Sequence, residues 1–154
     1  MIDPTQLRGL VVFPVLESLG LHSEAAVDLL MGTCAQESQC GRYLKQLGTG
    51  PAIGVFQMEP ATHKDLWENF LHHRPQLADK VAALAGRKGP RPEEMVGNLN
   101  YAAAMCRVHY FRRPEALPKT LKGQAEYWKK WYNTAAGAGT VDEYLVNWKR
   151  YIGG

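Results

Sequence analysis

Glu37 and Glu59 are the residues of this sequence whose settings suit acid–base chemistry. Ala26, Leu30, Thr33 and Glu37 fall at i, i+4, i+7 and i+11, so on a helix the Glu37 carboxylate extends an apolar stripe and not the solvated side. Burial without a cationic partner favours the neutral acid and raises its pKa toward the range of a general acid. The plainer alternative is a helix-end glutamate satisfied by water. Glu59 directly precedes Pro60, at or near the N-cap of the next helix, where unpaired amides and the helix dipole favour negative charge. Two carboxylates pushed in opposite directions match the division of labour in glycoside hydrolysis: one protonates the leaving oxygen, the other handles water or charge. Glu59 also reads simply as a cap.

Other chemistries find less support. His22, His63, His72, His73 and His109 have no Cys-x-x-Cys partner and no His-Glu-x-x-His frame, so no metal site is expected. No Walker loop or dinucleotide fingerprint occurs, and no cofactor is expected. Cys34, Cys40 and Cys106 take helix positions that a small apolar residue would also fill. If Cys34 and Cys40 share one helix, a rise of about 1.5 Å per residue separates them by roughly 9 Å, beyond disulfide reach, so reduced buried thiols are expected. Of the aromatics Trp67, Tyr101, Tyr110, Trp128, Trp131 and Trp148, most are expected in a small core. Tyr101 is a groove candidate, provided it projects beyond its packed helix face.

These residues need helices to position them. Pro4 to Leu19 reads as an apolar helix bent or broken near Pro14, and Ser23 as the N-cap of a helix through Glu37 that stops at Gly41. Gly48, Gly50, Pro51 and Gly54 then make turns, and Ile53 to Met58 is the one β candidate. Pro60 and Pro75 each open a helix, the second ending near Gly86. Glu93 to Arg112 carries Met95, Leu99, Ala102, Ala103, Cys106 and Tyr110 at helical spacing, which predicts a continuous central helix. Two aromatic-rich helices follow, Leu121 to Tyr132 and Val141 to Tyr151. The expected fold class is mainly α.

Composition bounds the partners. The 154 residues are 45% hydrophobic and 21% charged, as in ordinary globular chains, and without a repeat or linker one domain over 1–154 is expected. A net charge of +3, with basic residues spread among carboxylates, does not resemble a nucleic-acid-binding arm. The apolar stretch Gly9 to Leu16 is far short of the roughly twenty residues of a membrane span. The acidic opening and Pro14 do not fit a signal peptide, so synthesis and retention in a cytoplasm are expected.

Three blocks carry a resemblance. Ala35-Gln36-Glu37-Ser38, then Gly54-Val55-Phe56-Gln57-Met58-Glu59-Pro60-Ala61-Thr62, and later Trp131-Tyr132-Asn133 with Gly137 resemble, in order and spacing, the lytic transglycosylases and goose-type lysozymes of the lysozyme-like superfamily. The blocks run from Glu37 to about Gly139, most of the chain. Phage-encoded members are especially similar, through Gly50-Pro51-Ala52-Ile53-Gly54 and Tyr132-Asn133-Thr134.

The resemblance implies a lysozyme-like domain with a small β/loop region after the catalytic helix. It also implies cleavage of the β-1,4 bond between N-acetylmuramic acid and N-acetylglucosamine in peptidoglycan. Glu37 takes the catalytic acid position, and Ser38, which matches the serine that follows it, Gln57, which matches the glutamine lining the groove, and Tyr132 and Asn133, which match the Tyr-Asn pair, are implied to bind substrate in the groove. Gly54 would let the backbone approach the sugar. Transglycosylases usually carry an apolar residue where this chain has Glu59, whereas goose-type lysozymes have aspartate. Glu59 is thus a candidate base for an inverting hydrolase, whose carboxyls stand about 6.5–9.5 Å apart. The stretch from Arg42 to Ile53 lacks the aspartate often found between the first two goose-type blocks, so water and the muramoyl 6-hydroxyl both remain as nucleophiles. Arg107 and His109 read as a solvated face or a satisfied internal histidine, with contact to polymer carboxylates as the alternative. The implied protein is a phage endolysin or virion-associated muralytic enzyme, made in the host cytoplasm and brought to the periplasm or wall by a holin or a virion. A non-catalytic glycan-binding or virion structural protein on the same fold is the competing reading.

Overall fold

In the computed structural model, which describes residues 1–153, prolines and short polar caps set most helix starts. Asp3 accepts the Gln6 amide at 3.0 Å and Pro4 occupies the first turn of α1 (Pro4–Leu7). A π-helical turn (Arg8–Val12) carries α1 into α2 (Phe13–Ser18). Pro14 has no amide hydrogen to donate to the preceding turn, and the widened turn absorbs that loss, so the chain stays helical where a bend or a break was expected.

Ser23 accepts the Ala26 amide at 3.0 Å and starts α3 (Glu24–Ser38), as expected. Gln39, Cys40 and Gly41 are all left-handed, with φ of 53°, 56° and 84°, so the chain reverses two residues before the expected stop at Gly41. Cys40 therefore lies outside the helix. Its amide donates to the Cys34 carbonyl at 3.2 Å and both side chains are buried; the two cysteines do not share one helix, so the straight-helix separation expected of them does not apply. All three cysteines are free thiols.

No strand forms over Ile53 to Met58. Ile53 makes isolated bridges with Lys45 and Met58, and its reciprocal amide bonds with Met58, 3.1 and 3.0 Å, close a tight loop. Positive φ at Gly54 and Gln57 turns the chain too sharply for extended pairing. α4 (Pro60–Asn69), a 3₁₀ turn (Leu71–His73) and α5 (Pro75–Ala82) follow, with Pro60 and Pro75 each in a first turn.

The central helix is two helices. Asn98, in extended conformation, separates α6 (Glu94–Gly97) from α7 (Leu99–Phe111). Its carboxamide accepts the Tyr101 amide at 2.9 Å and donates to Leu84 O at 2.8 Å, so one side chain caps α7 and ties it to the segment after α5. From Tyr101 to Tyr110 every residue of α7 is buried. α8 (Leu121–Trp128) runs into a second π turn (Lys129–Asn133), and α9 (Val141–Tyr151) packs on α3. Tyr144 of α9 fills the notch at Gly32, where any Cβ would collide with its phenol. Buried side chains of α2, α3, α7, α8 and α9 belong to one continuous apolar cluster. The fold is mainly α, and among the described residues no helix is long and apolar enough to cross a membrane.

Candidate active site

The end of α3, the turn before α4, the end of α7 and the second π turn surround a groove of about 740 Å³. Glu37, Gln57, Glu59, Tyr132 and Asn133 all line it. Residues about a hundred positions apart in sequence thus meet in one cleft.

Glu37 occupies the last turn of α3, half-buried, and its Oε1 accepts a bond from Trp128 Nε1 at 3.0 Å. Burial pushes its pKa up to about 7, against the smaller opposing pull of the Trp128 bond. The unpaired carbonyls at the end of α3 also disfavour negative charge there, and no basic residue occupies that turn. Near neutral pH the carboxyl is therefore divided between acid and carboxylate. Trp128 is fully buried, packed on the Tyr144 ring at 5.3 Å, and Gly139 leaves room for its edge. The indole donor is consequently held by packing.

Glu59 has a different setting. It stands at the N-cap position of α4, as expected, but its side chain makes no capping bond and is exposed at the groove. The carboxylate is free to meet water.

Gln57, at φ 49°, donates from Nε2 to Gly54 O at 2.9 Å and shapes the turn that forms one wall. Tyr132 donates its hydroxyl to Phe56 O at 2.6 Å, linking the π turn to that same wall. Asn133 Oδ1 accepts from Lys129 Nζ at 2.7 Å, and the same ammonium donates to Gly137 O and Gly139 O at 3.0 and 2.6 Å. One cation thus gathers the loop after the π turn.

Three expectations fail here. Ser38 is fully buried; its hydroxyl donates to Val55 O at 2.6 Å and accepts the Gly41 amide at 2.8 Å, so it clasps the α3 reversal to the next turn and does not face the groove. Tyr101 is also fully buried, its hydroxyl bonded to His63 Nε2 at 2.6 Å and Trp67 Nε1 at 2.9 Å, because α7 is enclosed on every side. Gly54 does not open the groove either. A Cβ there would lie 2.5 Å from Met95 O, so glycine serves the positive φ and the close approach of α6.

Of the other residues of the groove, sequence reasoning passed over Arg112 and Arg113 and read Trp128, Trp131 and His109 first as core or helix-face residues. Trp128 and Trp131 line it, as do His109, Arg112 and Arg113 at the end of α7. Their i, i+3, i+4 spacing was the available signal. Arg107 points elsewhere and donates to Leu21 O at 3.0 Å. His109 is buried, and desolvation together with Arg112 and Arg113 pushes its pKa down to about 3, leaving a neutral imidazole.

No family model, curated protein or solved structure matches this chain.

Proposed function

We propose that the chain is a lysozyme-like peptidoglycan glycosidase that cleaves the β-1,4 bond between N-acetylmuramic acid and N-acetylglucosamine. The observation that carries this reading is Glu37 itself: a carboxyl with its pKa raised to about 7, at the edge of a groove long enough to be built from four segments. A neutral acid in such a place can donate its proton to a glycosidic oxygen as the bond to the anomeric carbon breaks. The Trp128 indole then stabilises the carboxylate left behind, since its N–H bonds better to the charged form.

Glu59 supports hydrolysis over the intramolecular route. Its exposed carboxylate, unused in capping, is available to take a proton from water attacking the anomeric carbon. In the transglycosylase route Glu37 itself accepts the proton of the muramoyl 6-hydroxyl, giving a 1,6-anhydro product without a second carboxylate. The family resemblance supports action at the wall, reached through a holin or from within a virion.

Clearing of chloroform-treated Gram-negative cells tests the reading. Wild type should clear the suspension, and Glu37→Gln should be slower by about 10²–10⁴-fold. Two inert proteins that both pellet with purified sacculi would favour the binding-only reading. Mass spectrometry of released muropeptides separates the routes by reducing or anhydro ends.

A further inference from the structure

His109 in the last turn of α7 and Arg112 and Arg113 just beyond its end line the same groove as Glu37. Part of this positive charge has an ordinary role: basic residues near a helix C-terminus offset its dipole, and Arg112 pairs with Asp65 at 2.5 Å. Arg113 has no such explanation. Among the described residues it makes no ion pair; its guanidinium lies over the Trp131 ring, 4.6 Å from the centroid. Its Nε is buried with no hydrogen-bond partner, and so are Arg112 Nε and His109 Nδ1. His109 is only 7% exposed.

Buried polar groups in folded proteins are nearly always satisfied, so three orphaned nitrogens on adjacent side chains mark an unfinished site. Arg113 as a whole is partly exposed and lines the groove without an ion-pair partner, and an anion at this end of the groove would supply the missing counter-charge. Guanidinium groups bind carboxylates in planar, two-bond geometry, and the Trp131 face already holds Arg113 in one orientation. His109, kept neutral, adds hydrogen bonding without further positive charge.

We infer that this end of the groove is a carboxylate subsite, in which Arg113 and Arg112 engage a carboxylate carried on the 3-substituent of a muramoyl residue. The identity of the polymer rests on the glycosidase reading; the anion site rests on the arginines. Two sources carry that carboxylate: the lactyl group of a peptide-free strand, or the stem peptide when the lactyl group is amidated.

Titrations followed by NMR on the Glu37→Gln protein distinguish them without turnover, with the arginine Nε–H signals as reporters. The probes are N-acetylglucosamine, N-acetylmuramic acid and muramyl dipeptide. At least one of the two carboxylate sugars should shift the Arg113 Nε–H and bind about tenfold more tightly than N-acetylglucosamine, as expected for a bond between charged groups. Whichever does so identifies the source. Arg113→Gln should abolish the preference, Arg113→Lys should retain part of it, and Lys119→Gln, outside the groove, should leave it unchanged. The proposal is overturned if no sugar shifts the Arg113 signal, if all three bind alike, or if the preference survives both Arg113→Gln and Arg112→Gln. Wall clearing by Glu37→Gln at the wild-type rate would instead end the glycosidase reading, while this titration would still stand or fall by its own outcome.

Discussion

The C-terminus of α3 and the N-terminus of α4 each present a glutamate to the same groove, and the two settings differ in every physical respect. At the end of α3, Glu37 is half-buried, faces the negative pole of its helix and has an indole as its hydrogen-bond donor. At the start of α4, Glu59 is exposed, sits at the positive pole and is unused by its own cap. Burial raises the proton affinity of Glu37 against the smaller pull of the Trp128 bond, while the Glu59 side chain stands open to water.

The comparison breaks most severely at the dry end. Glu37→Gln keeps shape and removes the proton, so muropeptide release should fall by about 10²–10⁴-fold, with a melting temperature at neutral pH no lower than that of wild type. At the wet end, Glu59→Gln should lower the rate by about 10²-fold if water is the nucleophile, without a loss of melting temperature, since no capping bond is removed. An intact rate with a lower melting temperature would return Glu59 to the role of a helix cap.

Two substitutions test what lies behind the groove. Gly32→Ala forces Tyr144 away from α3 and should cost about 1–3 kcal/mol in denaturant unfolding, as overpacking does. Tyr144 packs on Trp128, so the rate should fall as well. Tyr101→Phe should cost about 1–3 kcal/mol, because His63 and Trp67 lose their partner. Its activity, corrected for folded protein, should be unchanged; a selective loss of substrate binding would restore Tyr101 to the groove.

Much of this was legible locally. The Ser23 and Pro60 helix starts depend on one or two residues, and the stripe from Ala26 to Glu37 is a property of one helix. The break at Asn98 was hidden because apolar spacing continues across it, and only contact with Leu84 and Tyr101 makes that asparagine a cap. Ser38 and Tyr101 were assigned to the groove because spacing does not tell which burial is against protein and which is against a cleft. The same ignorance hid Arg112 and Arg113 and left groove contact as only the second reading of His109, since their place depends on how the end of α7 meets the second π turn.

The raised pKa of Glu37 has a signed consequence for stability. Its folded value, about 7, lies above that of an unfolded glutamate, so the stabilisation from protonation is complete below the unfolded pKa and is lost as pH rises through about 7. Wild type should therefore lose stability relative to Glu37→Gln between about pH 5 and pH 8. Activity that needs the protonated acid should decline over the upper part of that range. Trp128→Phe removes the bond that favours the carboxylate, so this decline should move to higher pH.

The most direct test is a carboxyl-carbon NMR titration of Glu37, its signal assigned by its disappearance in Glu37→Gln. A midpoint near 7 is the expected result. A midpoint at about 4.3, the value of a solvated glutamate, would contradict the assignment of Glu37 as the proton donor.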